Sequence, residues 1–149
     1  MILKLFEYFA KFPAREGVLS AFANGKSDLP FYNSLLEKMK SLPPSGTIPD
    51  IKNYIFGADM DTVKRRIDAV TCTYLFIDFG EFESDRDSRN TITDTLHMAA
   101  TVAAKVSDVM DIVERAVISD TTLALISELR TRIYADSGSD QTPWLQILY

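Results

Sequence analysis

The sequence predicts an α+β domain in which an antiparallel sheet, built on one long hairpin, is flanked by helices. Three observations carry that prediction. Residues 71–83, TCTYLFIDFGEFE, are dense in β-branched and aromatic side chains, the composition that suits a pleated, half-buried surface. Residues 91–104, TITDTLHMAATVAA, alternate with a period of two, which a loop does not sustain. SDRDSRN (84–90) separates them as a charged turn. Elsewhere most apolar residues recur at helical spacing, and the helices need the surface that the hairpin offers. A chain of 149 residues is long enough for one domain with a real core. It reads as a helical N-terminal part (1–42), a Pro/Gly loop (43–49) and a sheet-bearing part (50–149).

In chain order, residues 2–12 place Ile2, Leu5, Phe6, Phe9 and Phe12 on one side of a short amphipathic helix that Pro13 stops. This helix docks on the sheet. Its polar side carries only Lys4, Glu7 and Lys11, too few cations for a membrane-surface helix. The stretch is also too short to span a bilayer and lacks the layout of a signal peptide. Residues 15–23 form a second short helix through Val18, Leu19 and Phe22, ended by Asn24-Gly25. Asp28 caps a third, near 30–41, with Pro30 in its first turn and Phe31, Leu35, Leu36 and Met39 on its inner side. LPPSGTIP (42–49) holds three prolines and a glycine, so it forms no regular element; it is a linker, a hinge or an extended arm.

Residues 50–57, DIKNYIFG, fit either a helical turn or a short strand. Residues 60–70 are equally divided, since Met60, Val63, Ile67 and Val70 suit a helix while Val63, Arg65, Ile67 and Ala69 alternate as in a strand. The first strand of the hairpin is apolar on both faces, with Cys72, Tyr74 and Phe76 on one and Leu75, Ile77 and Phe79 on the other, so it lies inside the sheet or is covered on both sides. Beyond the hairpin, Ser107 or Asp108 caps a helix to about 117, and Ser119 or Asp120 caps another over 121–134. DSGSDQTP (136–143) is a polar loop, and WLQILY (144–149) is a terminal strand for a sheet edge, a partner contact or a chain that continues.

A formal charge of -5 and a pI near 4.8 argue against broad nucleic-acid binding, which needs a basic face. Cys72 is the single cysteine, so no intrachain disulfide forms, in keeping with a reducing compartment. It fills core volume. No GxGxxG, Walker, HExxH, GxSxG or CxxC pattern occurs.

The acids Asp78, Glu81, Glu83, Asp85 and Asp87 are the one group with chemical potential, since paired carboxylates hold hard cations or divide acid and base roles. Asp78 shares a strand face with Glu81 only if Gly80 inserts a bulge. A cation-dependent enzyme using the Asp78/Glu81 region is therefore one alternative, and a solvated turn or a partner contact the other. If the strands pair around a turn centred near 87, His97 lies opposite Ile77 and meets Asp78 or Cys72 only loosely. Asp94, on the apolar side of its strand, faces Arg65 or Arg66 or marks the solvent boundary. Lys64, Arg65 and Arg66 form the densest basic cluster, read as solvated charge, a docking patch for an acidic partner, or a phosphate or nucleic-acid contact.

The order of elements carries a resemblance. A helical start precedes the hairpin YLFIDFGEFE/TITDTLHMAATVAAK, then the helices SDVMDIVERAV and SDTTLALISELRTRI, then the terminal strand. Over roughly 60–149 this resembles the small head-to-tail joining or tail-terminator proteins of tailed phages and prophages. The resemblance implies side-by-side assembly into a ring through strand edges and the turn 83–90, with no enzymatic role, in the cytoplasm or on a virion. The expected function is a structural or assembly protein that self-associates or binds other assembly proteins, with a general interaction module as a further alternative. Expected contacts are Lys64, Arg65, Arg66, Asp85, Asp87, Arg89, Trp144, Leu148 and Tyr149. No catalytic, cofactor or metal residue is assigned, no cofactor is expected, and neither nucleic acid nor a membrane span enters the reading.

Overall fold

The computed structural model describes residues 1–23 and 25–147. Asn24, the expected helix end, and Leu148 and Tyr149, two of the expected contacts, lie outside them. The fold is α+β, with a three-stranded sheet flanked by helices. The chain divides into two compact units, Met1–Lys105 and Val106–Tyr149.

The first unit holds α1 (Ile2–Ala10), α2 (Arg15–Leu19), α3 (Tyr32–Lys40), β1 (Asn53–Gly57), α4 (Met60–Ala69), β2 (Tyr74–Arg86) and β3 (Ile92–Ala103). The sheet order is β1-β2-β3. β2 and β3 pair antiparallel as expected, but β1 adds a parallel pair, Asn53 opposite Tyr74 through Gly57 opposite Asp78. A parallel pair needs a crossover, and α4 supplies it. The two ambiguous stretches thus resolve as strand and helix. Asp59 decides the second, because its side chain accepts a hydrogen bond from the Thr62 amide at 3.3 Å and caps α4.

Residues that are direct partners across a sheet point to the same face. Ile55, Tyr74 and Phe76 share one face, and α4 covers it with Val63, Ile67 and Val70. Tyr54 and Phe56 point the other way and meet α1, whose Phe6 ring lies 5.1 Å from each. The Tyr54 hydroxyl donates to the Phe6 carbonyl at 2.9 Å, which ties helix to strand inside the core. Leu75 and Ile77 on this same side are fully buried.

The Pro/Gly segment is strapped to the end of α1. Thr47 and Ile48 amides donate to the Lys11 and Phe12 carbonyls at 3.0 and 2.8 Å, and Ile48 and Ile51 are buried. A Cβ on Gly46 would stand 2.0 Å from the Pro13 carbonyl oxygen, so glycine alone allows this approach. The segment is folded against the residues that follow α1 and does not extend as an arm. α3 begins at Tyr32 without a side-chain cap, not at Asp28, and Phe31 is exposed; the turn before it is held instead by Asn33 Nδ2 donating to the Ser27 carbonyl at 2.8 Å.

In the second unit the two expected helices are one, α5 (Ile112–Ser137). Asp111 caps it, accepting from the Val113 and Glu114 amides at 3.0 Å each. Ser119 and Asp120 do not restart a helix. Thr121 and Thr122 hydroxyls donate to the Val117 and Ile118 carbonyls at 2.9 Å, which satisfies them inside a continuous helix. The expected terminal strand is absent over 144–147. A turn replaces it, with the Leu145 amide donating to the Thr142 carbonyl at 3.0 Å and the Leu145 side chain buried.

Candidate contact surface on the hairpin

β1 accompanies β2 only as far as Asp78. Beyond that point β2 and β3 continue as a two-stranded ribbon to Arg86 and Ile92. Gly80 breaks the ladder: Phe79 pairs with Met98 and Glu81 with His97, so one extra residue stands on β2. Such a bulge resets which residues share a face. Asp78, Glu81, Glu83 and Asp85 now fall on one face, opposite Ala99, His97, Thr95 and Thr93. Phe79, Phe82, Ser84 and Arg86 fall on the other, opposite Met98, Leu96, Asp94 and Ile92. The ribbon is therefore acidic on one side and largely apolar on the other. That apolar side continues the line of Leu75 and Ile77, yet Phe82 is 60% and Ile92 56% exposed.

The turn is tighter than 84–90. The Asp87 amide donates to the Thr91 carbonyl at 3.0 Å, and Asp87 Oδ1 accepts from the Arg89 and Thr91 amides at 2.8 and 2.9 Å. Asn90 takes a positive φ of 65°, which asparagine tolerates better than most residues. Asp87 thus holds the turn. The turn lies between Arg86 and Ile92, past the expected centre near 87, so Ile77 faces Ala100, not His97. His97 Nε2 instead lies 3.2 Å from Glu83 Oε2. Asp94 meets neither Arg65 nor Arg66 but accepts from the Ser84 hydroxyl at 2.7 Å. Cys72 is exposed, not core, because β2 starts at Tyr74 and leaves it in the preceding bend.

The other expected contacts fall on several elements. Lys64 and Arg65 are exposed on α4, while Arg66 is half-buried and donates to the Ser20 hydroxyl. Asp61 and Asp68 are exposed on the same helix at helical-neighbour spacing from Lys64, so the cluster is a mixed-charge face. Asp85 stands on the acidic side of the ribbon and Arg89 at its tip. Trp144 belongs to the second unit and is 37% exposed. Sequence reasoning missed Phe82, Leu96 and Ile92; the signal that could have found them was Gly80 in mid-strand, followed through to its effect on every residue after it.

The bulge meets one condition of the cation-enzyme alternative by giving Asp78 and Glu81 a common face. Among the described residues, however, no three His, Cys, Asp or Glu side chains converge to hold a metal. The carboxylates from Glu81 to Asp85 stand in open solvent, without walls that would exclude water. Of two depressions in the first unit, the one of about 210 Å³ contains Arg15, whose guanidinium donates to the Leu42 carbonyl at 2.9 Å. The other, of about 240 Å³, contains Arg66 and Ser20, bonded to each other.

Burial pushes the Tyr54 hydroxyl well above its usual value and Tyr74 upward as well. The Thr62 hydroxyl and amide lower Asp59, and the Ser107 hydroxyl and amide lower Glu114. These are core and helix-cap effects. Among the described residues no helix is long and apolar enough to cross a membrane. Comparison with protein-family models, curated sequences and solved structures finds no match to this chain.

Proposed function

We propose that this protein is a non-enzymatic assembly component that self-associates, with the ribbon beyond Gly80 as a contact arm. One observation carries the reading: the apolar face of β2 and β3 continues past the core and stays uncovered at Phe82 and Ile92. A ribbon kept for its own stability would gain nothing from these side chains in water, whereas burying each against a second molecule contributes on the order of 1.5–3 kcal/mol. The acidic opposite face keeps the free arm soluble. The resemblance to phage head-to-tail joining and tail-terminator proteins supports a ring as the assembled form.

Light scattering at micromolar concentration tests the reading. The wild-type protein is expected as a defined oligomer, and Phe82→Ser with Ile92→Ser as a smaller species with unchanged circular dichroism. A wild-type monomer throughout that range overturns self-assembly.

A further inference from the structure

β1 is an edge strand, and its outer side carries backbone groups without partners. The Asn53 amide donates to the Thr73 carbonyl at 3.1 Å, so Asn53 turns its backbone toward β2. In a parallel ladder alternate residues turn the other way, so Tyr54 and Phe56 aim their amides and carbonyls outward. Lys52 has the same parity: a Cβ on Gly17 of α2 would stand 2.1 Å from its carbonyl oxygen. Among the described residues no hydrogen bond reaches the outward amides and carbonyls of Tyr54 and Phe56, although Tyr54 is fully buried. Buried backbone groups are almost always bonded, so this edge calls for a partner that the chain does not itself supply.

The depression of about 240 Å³ lies beside these groups. Ala21 and Ala23 stand on one side of it, Val63 and Arg66 of α4 on the other, and Tyr54 and Phe56 along the strand edge. All its described walls belong to the first unit. Arg66 donates to the Ser20 hydroxyl and forms no ion pair among the described residues. A guanidinium has five donors in a fork that fits a carboxylate, so most of this one is unused. α4 crosses back from β1 to β2 and runs antiparallel to β1. Asp59, at the start of α4, therefore lies toward the Phe56 end of the edge, and Arg66 toward the Tyr54 end.

We infer that this edge receives the carboxyl-terminal segment of a partner protein as an added strand, antiparallel to β1. The segment's backbone bonds to Tyr54 and Phe56, the way sheet edges take extended peptides. Its terminal carboxylate takes the Arg66 guanidinium, which leaves Ser20. The direction follows from charge, since a chain ending near Arg66 keeps its carboxylate away from Asp59. The two alanines and Val63 suit small apolar side chains. This contact is separate from the ribbon and needs no self-association.

Amide-resolved NMR titration of the full chain tests it. The probes are short acetylated peptides ending in alanine, valine or leucine, each as the free acid and as the carboxyl amide, with sodium acetate as the anion alone. The free acids are expected to shift the Tyr54 and Phe56 amides and the Arg66 guanidinium, with cross-peaks of an antiparallel pair to β1. The amides are expected to bind about tenfold more weakly or worse. Arg66→Gln is expected to erase that difference with unchanged circular dichroism. Acids and amides that bind alike overturn the capture of a chain end. Acetate that reproduces every shift marks a plain anion site and overturns strand addition, and cross-peaks of a parallel pair overturn the direction. No shift at Tyr54 and Phe56 with any free acid overturns the whole proposal and leaves the ribbon reading standing.

Discussion

Leu75 and Phe82 lie on the same face of the same strand, yet Leu75 is fully buried and Phe82 is 60% exposed. The base of the hairpin has β1 beside it, α4 on one face and α1 near the other. The distal ribbon has only its own ladder and the turn held by Asp87. Backbone pairing thus runs on unchanged where the hydrophobic core stops, so strand formation and core formation are separate demands on this sequence. Residues that satisfy the first without the second are free to serve contacts.

The sharpest way to break that contrast is truncation at both levels. Leu75→Ala removes a fully buried side chain and is expected to cost about 2–5 kcal/mol, transfer and cavity terms included. Phe82→Ala is expected to change monomer stability by about 0.5 kcal/mol or less. Urea denaturation at a concentration too low for association measures both. Similar losses at the two positions would mean that the ribbon is covered within one molecule.

Tyr54 comes next, because it is the polar tie within the covered region. Tyr54→Phe deletes its hydrogen bond to the Phe6 carbonyl and is expected to cost about 1 kcal/mol. The same residue predicts an alkaline limb. Burial raises its folded-state value above the unfolded one, so the neutral hydroxyl is favoured in the fold. Its contribution is complete below the ordinary tyrosine value near 10 and falls as pH rises above it. Denaturation midpoints across that range should decline in the wild type and flatten in Tyr54→Phe. An unchanged slope would put the alkaline sensitivity elsewhere.

How legible this was from the residues follows the same division. The hairpin was readable because alternation and a charged turn are local. The inner face of α1 was readable because Leu5, Phe6 and Phe9 repeat on it and are buried, whereas Ile2, expected beside them, is 44% exposed. β1 was not, since DIKNYIFG is short and its strand state is decided by pairing with Tyr74–Asp78, twenty-one positions away. Cys72 was misplaced because the strand begins only after Thr73, whose carbonyl accepts from the Lys52 and Asn53 amides at 3.0 and 3.1 Å. α5 was split because serine, aspartate and threonine cap helices in most settings, and the back-bonding of Thr121 and Thr122 is invisible in sequence. The acidic side of the ribbon was seen as a cluster; its apolar counterpart was not, because one glycine inverts the parity of everything after it.

The extra residue can be removed. Deleting Gly80 leaves a regular ladder in the same register, with Glu81 still on the side of Asp78 and Phe82 still on the side of Phe79. The expected cost to stability is below about 1 kcal/mol, since the residues that follow on β2 are exposed. Amide shifts are expected to change beside the deletion, at 78–81 and 97–99, and to stay fixed over 74–76. Self-association should persist near wild-type strength, because the apolar face of the arm is kept. Loss of association in this variant would tie the contact to the bulge itself and not to the ribbon face.

The smallest effect should appear at the turn, and it separates ribbon order from core stability most finely. Asp87→Ala removes the carboxylate that accepts from the Arg89 and Thr91 amides. Asn90 still supplies the positive φ, so the turn keeps its shape with fewer bonds. Expected is a loss of a few tenths of a kcal/mol, seen as faster amide hydrogen exchange over 82–96. Exchange at Leu75 and Ile77 should not change, because their protection reports opening of the covered base. If both regions accelerate together, the ribbon and the core open as one unit, and the contrast between Leu75 and Phe82 is one of exposure without independence.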